Sequence, residues 1–181
     1  MFERIRVVPA LAGLALAASL AACGGGGSGP TSTPTPAPTP TPCTQSTIKQ
    51  EGGGITPSTL LYDDFSVPDS GRLDVTLDWT FATSPIGFYV VPANTCTLDE
   101  FNARSCNFLV RSETTTKPRR ISTPFSAGNY RWMIANYSDA DESMTLLIVL
   151  SKGSCPALAG APGASERTDD SWPPIGRALR Y

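Results

Sequence analysis

The clearest pattern in the chain is a strict alternation of apolar and polar positions over Arg72–Phe81. A period of two predicts a half-buried antiparallel strand, with one face on a core and the other in solvent. The polar positions carry Arg, Asp and Thr side chains. The apolar positions are Leu73, Val75, Leu77, Trp79 and Phe81.

Further strand patterns follow, separated by Gly, Pro, Asp and Ser turn signals. They cover Gly87–Val91, Asn107–Arg111, Gly128–Tyr137 and Met144–Leu150. The last run is apolar on both faces, which predicts a central or covered strand. Because no window shows sustained helical periodicity, the pattern predicts an all-β fold, a single antiparallel β-sandwich.

The N-terminus has the layout of an export signal. Arg4 and Arg6 precede a short apolar run, Val7–Leu20, which is shorter than the roughly 20 residues of a spanning helix. The sequence Leu20-Ala21-Ala22-Cys23 resembles the lipobox of bacterial lipoproteins. The resemblance implies cleavage before Cys23, several acyl chains on that residue as a membrane anchor, and, because Gly24 rather than Asp follows, the outer membrane. The alternative is an ordinary secretory signal with a coincidental cysteine.

Composition divides the chain into four parts. Residues 1–22 are the expected signal peptide, and 23–42 are the lipidated cysteine with a Gly-rich and Thr/Pro-rich tether. The tether should be extended polyproline II, about 40 Å long over its Thr/Pro part. The predicted sandwich spans 43–155. Residues 156–181 form a low-complexity tail, either disordered or docked through Trp172, Ile175, Leu179 and Tyr181.

A second resemblance rests on four stretches of the folded region, Phe65–Pro68, Gly71–Trp79, Ala127–Trp132 and Thr145–Leu150. Their order resembles the bacterial pre-peptidase C-terminal domain. That family implies a compact, jelly-roll-like sandwich that accompanies secreted hydrolases or surface proteins as an accessory binding or stabilising module. The sequence departs from the family pattern in two ways: no catalytic domain is recognisable, and an insertion lies around Cys96–Cys106.

The chain has five cysteines. With Cys23 assigned to lipid, Cys43, Cys96, Cys106 and Cys155 remain, an even number that predicts two disulfides in an exported protein. Three connectivities are open. Cys96 and Cys106 flank one loop, which favours their pairing and leaves Cys43 with Cys155 at the two ends of the folded region.

Composition argues against catalysis and against nucleic acid. The chain has no histidine and a net charge of −2, so the common nucleophilic triads and most zinc sites are excluded. Charges of both signs are mixed, without the basic stripe of a nucleic-acid binder. We predict no enzyme activity, no cofactor and no metal; the alternative for the acidic loop Ser138–Glu142 is a calcium site.

Trp79 and Trp132 fall in register with apolar neighbours and are assigned to the core. Four other side chains are candidate ligand contacts. Tyr89 and Tyr137 fall on the opposite face and are predicted to be exposed contacts. Arg119 and Arg120 form a basic cluster in a predicted solvated loop, which could meet anionic lipid or polysaccharide.

The sequence therefore predicts a non-enzymatic envelope lipoprotein, held at the membrane through Cys23. Its β-sandwich would bind an envelope protein or a glycan. The alternative is a purely structural role, with the disulfide-linked domain acting as a spacer in the envelope.

Overall fold

The computed structural model of the chain describes residues 39–113, 115–158, 165–166 and 173–181. Several sequence predictions lie outside these residues: the signal peptide 1–22, the lipid-bearing Cys23, the tether over 24–38, and Trp172 in the tail. Among the described residues, no helix is long and apolar enough to cross a membrane.

Within the described residues, the fold consists of ten strands and one short helix. In chain order they are β1 (Thr44–Ile55), β2 (Thr59–Val67), β3 (Gly71–Trp79), β4 (Ile86–Pro92), α1 (Leu98–Asn102), β5 (Val110–Ser112), β6 (Arg119–Phe125), β7 (Gly128–Asn136), β8 (Glu142–Lys152), β9 (Ser165–Glu166) and β10 (Arg177–Arg180).

The strands form two sheets packed face to face. The four-stranded sheet has the order β1-β8-β3-β6 and the six-stranded sheet the order β10-β2-β7-β4-β5-β9. The first eight strands therefore follow jelly-roll order, with β1 beside β8 and the chain crossing repeatedly between the sheets. The predicted all-β sandwich is confirmed. It is not wholly antiparallel, because β10 and β9 pair in parallel with β2 and β5.

The main core fills the space between the two sheets. The predicted apolar face of β3 lies there, with Leu73 and Leu77 fully buried. Trp79 is 3% exposed and Trp132 is fully buried, so the assignment of both indoles to the core is confirmed. Each such side chain contributes about 1.5–3 kcal/mol when it leaves water.

The structure corrects the predicted end of β3. The strand stops at Trp79, and Phe81 lies in the following turn with 50% of its surface exposed. The Phe81 carbonyl accepts the Ser84 N–H at 3.1 Å, and its own N–H donates to the Glu142 carboxylate at 3.0 Å. These bonds direct the chain away from the sheet, so the alternation does not continue to Phe81.

Two of the strands have no strong pattern in the sequence. β1 lies at the edge of the four-stranded sheet and is largely exposed along its length, so it lacks an apolar face to reveal it. β6 lies at the opposite edge and contains Pro124, which an edge strand tolerates because it lacks one inter-strand partner.

A second apolar cluster covers the outer face of the six-stranded sheet. Its buried members are Leu60, Tyr89, Val91, Phe101, Met133, Ala135 and Ile175. The segment from Ala93 to Leu109, which contains α1, and the end of the chain lie over this face. The six-stranded sheet is therefore buried on both sides, whereas the outer face of the four-stranded sheet carries the exposed Leu147.

Helix α1 is absent from the sequence prediction because it has only five residues. It begins with a capping box, in which the Thr97 hydroxyl accepts the Glu100 N–H and the Glu100 carboxylate accepts the Thr97 N–H. Phe101 is its one buried residue and contacts the Tyr89 ring edge-on at 4.8 Å. Capping and this contact hold a helix too short to show periodicity.

Both predicted disulfides are present, with the favoured connectivity. Cys43 and Cys155 have Cα atoms 4.7 Å apart and join the start of β1 to the residues after β8. Beside this bond the chain turns at Gly153, whose φ is +76°, and a Cβ at this position would lie 2.2 Å from the Pro42 carbonyl oxygen. Cys96 and Cys106 have Cα atoms 5.2 Å apart and close the segment that carries α1.

Candidate functional site

The structure places Tyr89 inside the domain. Its side chain is 1% exposed, because α1 and its flanking segment cover the outer face of β4. The prediction of an exposed ligand contact at Tyr89 is therefore wrong. The sequence pattern assigned Tyr89 to the face opposite the main core correctly, but gave no sign that a second cluster covers that face.

Tyr89 belongs to a buried polar group around Glu113. The Tyr89 hydroxyl donates to the Glu113 carboxylate at 2.5 Å and lies 2.7 Å from the Tyr137 hydroxyl. Arg104 and Arg111 each form an ion pair with Glu113, at 3.1 and 2.8 Å. Tyr137 is half-buried with its hydroxyl engaged in this group, so its predicted role as an exposed contact is not supported.

Burial raises the pKa of both tyrosines. Loss of water around Tyr89, followed by the effects of Tyr137 and Glu113, raises its pKa well above the ordinary value. Burial likewise raises the pKa of Tyr137 to about 12. Both phenols therefore stay neutral at physiological pH and act as hydrogen-bonding groups within the fold.

The predicted basic cluster is divided by strand geometry. Arg119 and Arg120 lie on β6, where neighbouring side chains point to opposite faces. Arg119 is 2% exposed, and its Nη1 donates to the carbonyls of Ile86 and Ser112 at 2.5 and 2.7 Å. The prediction of a solvated loop is wrong for Arg119, and Arg120 is the member of the pair exposed on the surface.

The acidic loop after β7 is organised by its own side chains. Asn136 donates to the Ala140 carbonyl at 2.8 Å and accepts the Ser138 N–H at 2.9 Å. The Glu142 carboxylate is buried and accepts bonds from Ser84 and Phe81. In the described part of the chain, no group of three His, Cys, Asp or Glu side chains could hold a metal ion.

An open cleft of about 560 Å³ lies over the outer face of the six-stranded sheet. Its floor includes the apolar side chains Leu60 and Met133, which project from the paired strands β2 and β7. The segment between β4 and α1 forms one side and β10 contributes Ala178. The polar lining residues are Tyr62, Asn94, Thr95, Thr97, Glu100 and Arg131.

Arg131 is the positively charged group of the cleft and is held rigidly. Its guanidinium lies over the Tyr62 ring, 4.7 Å from the centroid, and its Nε donates to Asp64 at 2.8 Å. The stacking, a second bond to Asp64 from Nη2 at 3.3 Å and a bond from Nη1 to the Thr95 carbonyl at 3.4 Å fix the planar group. An acceptor on a ligand would bind the N–H groups that these bonds do not use.

The opposite charge comes from Glu100 at the start of α1. The Thr97 backbone N–H, and then the Thr97 hydroxyl, lower the pKa of Glu100 below its ordinary value. The cleft thus combines an apolar floor, hydroxyl and amide groups, and one charge of each sign. Clefts of this size and composition bind small molecules or short segments of larger ones.

The cleft was not among the sequence predictions. The strand pattern over Gly128–Tyr137 places Arg131 and Met133 on one strand face, but the residues that complete the cleft come from the segment closed by Cys96–Cys106 and from the tail. The insertion itself was the only signal in the sequence. A disulfide-closed insertion between two strands marks a place where a loop is fixed above a sheet.

Comparison with known protein families finds no matching family, and no curated protein matches the chain. Two solved structures are similar in fold. The pre-peptidase C-terminal domain of collagenase from Bacillus anthracis has a TM-score of 0.43 and 11% identity, covering 56% of this chain and 88% of that one.

The second is the Yersinia pseudotuberculosis-derived mitogen, with a TM-score of 0.41 and 14% identity, covering 68% of this chain and 91% of that one. The first belongs to the family that the sequence resembles. At such low identities and TM-scores, neither likeness says anything about ligand, partner or activity. The chain is a disulfide-linked β-sandwich with distant similarity in fold to these two proteins.

Proposed function

We propose that this chain is a non-enzymatic lipoprotein of the bacterial envelope, whose β-sandwich binds a protein or glycan ligand in the cleft above β2 and β7. The cleft is the observation that carries the proposal. The half-buried side chains of Tyr62 and Leu98, together with the fixed guanidinium, suit a ligand that presents an apolar surface edged by hydrogen-bonding groups.

Two features support an exported location. Disulfides form and persist in oxidising compartments, and this domain contains Cys43–Cys155 and Cys96–Cys106. The sequence Leu20-Ala21-Ala22-Cys23 supplies the lipid attachment, and Gly24 after the cysteine favours the outer membrane. The Thr/Pro-rich tether then joins the anchor to the sandwich at the end that carries Cys43.

The absence of histidine from the sequence supports a binding role over a hydrolytic one. The buried carboxylates Glu113 and Glu142 support the same interpretation, because both are occupied by hydrogen bonds or ion pairs within the fold. The cleft itself offers Glu100 and Arg131 as a pair of fixed charges, which are suited to recognition.

The binding proposal is tested by filling the cleft. Ala178→Trp places an indole at the cleft wall, and Leu147→Trp places the same side chain on the exposed outer face of the four-stranded sheet as a matched control. Wild-type protein is screened on a glycan array and a displayed peptide library, and dissociation constants of the ligands found are measured by calorimetry.

We expect Ala178→Trp to weaken binding at least tenfold and Leu147→Trp to leave it unchanged. Equal binding by both variants would place the ligand site elsewhere. Absence of any ligand would favour the structural role, with the domain as an envelope spacer.

The anchor is tested separately by metabolic labelling with an alkyne-bearing fatty acid. Wild-type protein should incorporate the label and fractionate with the outer membrane. Cys23→Ser should lose both properties, and an unlabelled wild-type protein would overturn the proposed attachment.

A further inference from the structure

The cleft above β2 and β7, here called the first cavity, has a neighbour on the same face of the six-stranded sheet. This second cavity has a volume of about 350 Å³, and its lining includes Asp64, Ser66, Asn94 and Asn129. Asn94 also lines the first cavity. We propose that the two cavities form one groove, which binds an uncharged, linear glycan. The inference rests on the proposed function, because it names the ligand class of the cleft and extends its site.

The pairing of β2 with β7 makes the two cavities continuous. Asp64 and Arg131 are cross-strand partners joined by an ion pair at 2.8 Å, and Arg131 lines the first cavity while Asp64 lines the second. Alternate residues of β2 line the groove from Leu60 in the first cavity to Ser66 in the second. Six residues of strand span roughly 20 Å at about 3.3 Å each. The groove is therefore elongated and suits a chain more than a single compact ligand.

The groove presents polar groups that the fold does not use. In the described part of the chain, the Tyr62 hydroxyl and the Asn94 side-chain amide form no hydrogen bond. Asn129 accepts the Ser66 hydroxyl at 2.6 Å through Oδ1, which leaves its Nδ2 group available. These groups and the remaining N–H groups of Arg131 supply both donors and acceptors. Sugar hydroxyls match such a lining, because each of them can donate and accept.

The position of the groove argues against a peptide as its occupant. An extended peptide adds to a sheet through the backbone groups of an edge strand, whereas this groove lies on the face of the sheet and β7 is already paired with β2 and β4. A helix needs an apolar stripe, but Leu60 and Met133 are each only 1% exposed. The exposed lining residues, among them Ser66, Asn94 and Thr95, are polar. This lining favours a ligand that is held by its hydroxyl groups.

Charge favours a neutral glycan over an acidic one. The lining contains two carboxylates, Asp64 and Glu100, and the guanidinium of Arg131. At the border, Arg180 lies 3.8 Å from Asp64. The charges therefore balance and give no positive excess that would attract a uronate or a phosphate. The capping box also fixes the Glu100 carboxylate at the wall of the first cavity, where it would repel an acidic sugar.

The test compares the full chain in detergent with variants that fill one cavity each. Ser66→Trp places an indole in the second cavity and Ala178→Trp places one in the first. Leu147→Trp, on the outer face of the four-stranded sheet, is the matched control. The probes are the neutral and uronate-containing linear glycans of a glycan array. Calorimetry then gives dissociation constants for the two-unit and six-unit forms of the glycan that binds best.

We expect the six-unit neutral glycan to bind wild type at least tenfold more tightly than the two-unit form, because only the longer chain fills both cavities. Ser66→Trp should reduce the six-unit affinity to that of the two-unit form, whereas Ala178→Trp should weaken both. Uronate-containing glycans should bind at least tenfold more weakly than neutral ones of equal length. Glu100→Gln, which keeps a residue suited to the capping box, should narrow that difference at least threefold.

Equal affinities for the two lengths, or wild-type affinity in Ser66→Trp, would confine the ligand to the first cavity. Either result would overturn this inference and leave the proposed function standing. Tighter binding of uronate-containing glycans, or binding of peptides alone, would likewise overturn the ligand class. If Ala178→Trp were also without effect, the proposed function would fail as well. Should Ser66→Trp fail to fold, Asn129→Ala replaces it, since this exposed residue offers its Nδ2 group to the second cavity; it should weaken the six-unit glycan at least fivefold.

Discussion

The guanidinium of Arg119 lies over the indole of Trp79, 5.3 Å from the ring centroid, inside the sandwich. Arg119 also donates to the backbone carbonyls of Ile86 and Ser112, and so connects β6 to β4 and β5 in the other sheet. A buried charge of this kind is costly to create and more costly to leave incomplete, because the carbonyls it serves are themselves removed from water.

Arg119→Met should therefore lower the free energy of unfolding by about 2–4 kcal/mol, since two buried acceptors lose a charged donor and the indole loses its cation. Arg120→Met on the same strand is the matched control and should change stability by less than about 0.5 kcal/mol, because that side chain is exposed. Urea unfolding followed by tryptophan fluorescence measures both. Equal losses would contradict a special role for the buried guanidinium.

The two disulfides should differ in their contribution to stability. They close loops with sequence separations of 112 and 10 residues, and a longer loop removes more entropy from the unfolded chain. Replacing both cysteines of each pair by serine should cost about 5 kcal/mol for Cys43–Cys155 and about 3 kcal/mol for Cys96–Cys106. Guanidinium unfolding of each double variant gives the comparison, and a reversed order would show that the effect arises in the folded state.

Cys96–Cys106 should also have a local effect that Cys43–Cys155 lacks. Without it, the segment over the outer cluster is held by the contacts of Phe101, by the Arg104–Glu113 ion pair and by the bonds between the Asn102 side-chain amide and the Ile175 backbone. Limited proteolysis should therefore cut the Cys96→Ser, Cys106→Ser variant first between residues 93 and 109, at denaturant concentrations that leave the sandwich folded.

The sequence alone predicts the sandwich, because apolar and polar positions alternate wherever only one face of a strand packs on a core. β3 reveals its buried residues directly, and β7 separates Trp132 and Ile134 from Met133 and Ala135 across its two faces. The cysteine count likewise predicted both bonds. The strand pattern depends on residues close in sequence, and the disulfide prediction depends on an even number of cysteines. Neither requires knowledge of what packs on the outer face of the six-stranded sheet.

The candidate site could not be predicted because it depends on what covers the outer face. The sequence predicts an exposed Tyr89 because it gives no sign that α1 covers this residue. Helix α1 itself is held by a capping box and one phenylalanine. Ile175 similarly lies in a segment of low complexity, and its burial depends on Asn102, far away in sequence. Contacts between segments that are distant in sequence produce no periodic pattern from which they could be predicted.

Acid should destabilise the four-stranded sheet through Asp74. Burial favours the neutral acid, but hydrogen bonds from Arg72, Ser122 and Ser151 outweigh it and lower the pKa of Asp74. A lowered pKa in the folded state gives stability that is present above the unfolded value, near 3.9, and lost as the pH falls. Asp74→Asn should be less stable at pH 7 and lose less stability than wild type between about pH 5 and 2.

The control for that experiment is Asp69→Asn, whose side chain is 63% exposed in its ion pair with Lys152. It should follow the wild-type curve to within about 0.5 kcal/mol at every pH, because exposed pairs contribute little. Urea unfolding at intervals of one pH unit resolves the three curves. Parallel curves for wild type and Asp74→Asn would assign the acid sensitivity to other carboxylates.

Alkali should destabilise the domain through Tyr89 and Tyr137. Burial raises the pKa of both phenols, that of Tyr137 to about 12. Because the folded pKa lies above the unfolded value of about 10, this stability is complete below pH 10 and is lost as the pH rises toward 12. Tyr89→Phe should be less stable by about 1–3 kcal/mol at pH 7, since the buried Glu113 loses a donor. It should then lose less stability than wild type between pH 10 and 12.

The control is Tyr130→Phe, whose hydroxyl donates to the Ser126 carbonyl at 3.0 Å in an exposed position. Its stability should fall with pH at the same slope as that of wild type. If Tyr89→Phe kept that slope as well, the alkaline sensitivity would lie outside the Glu113 group.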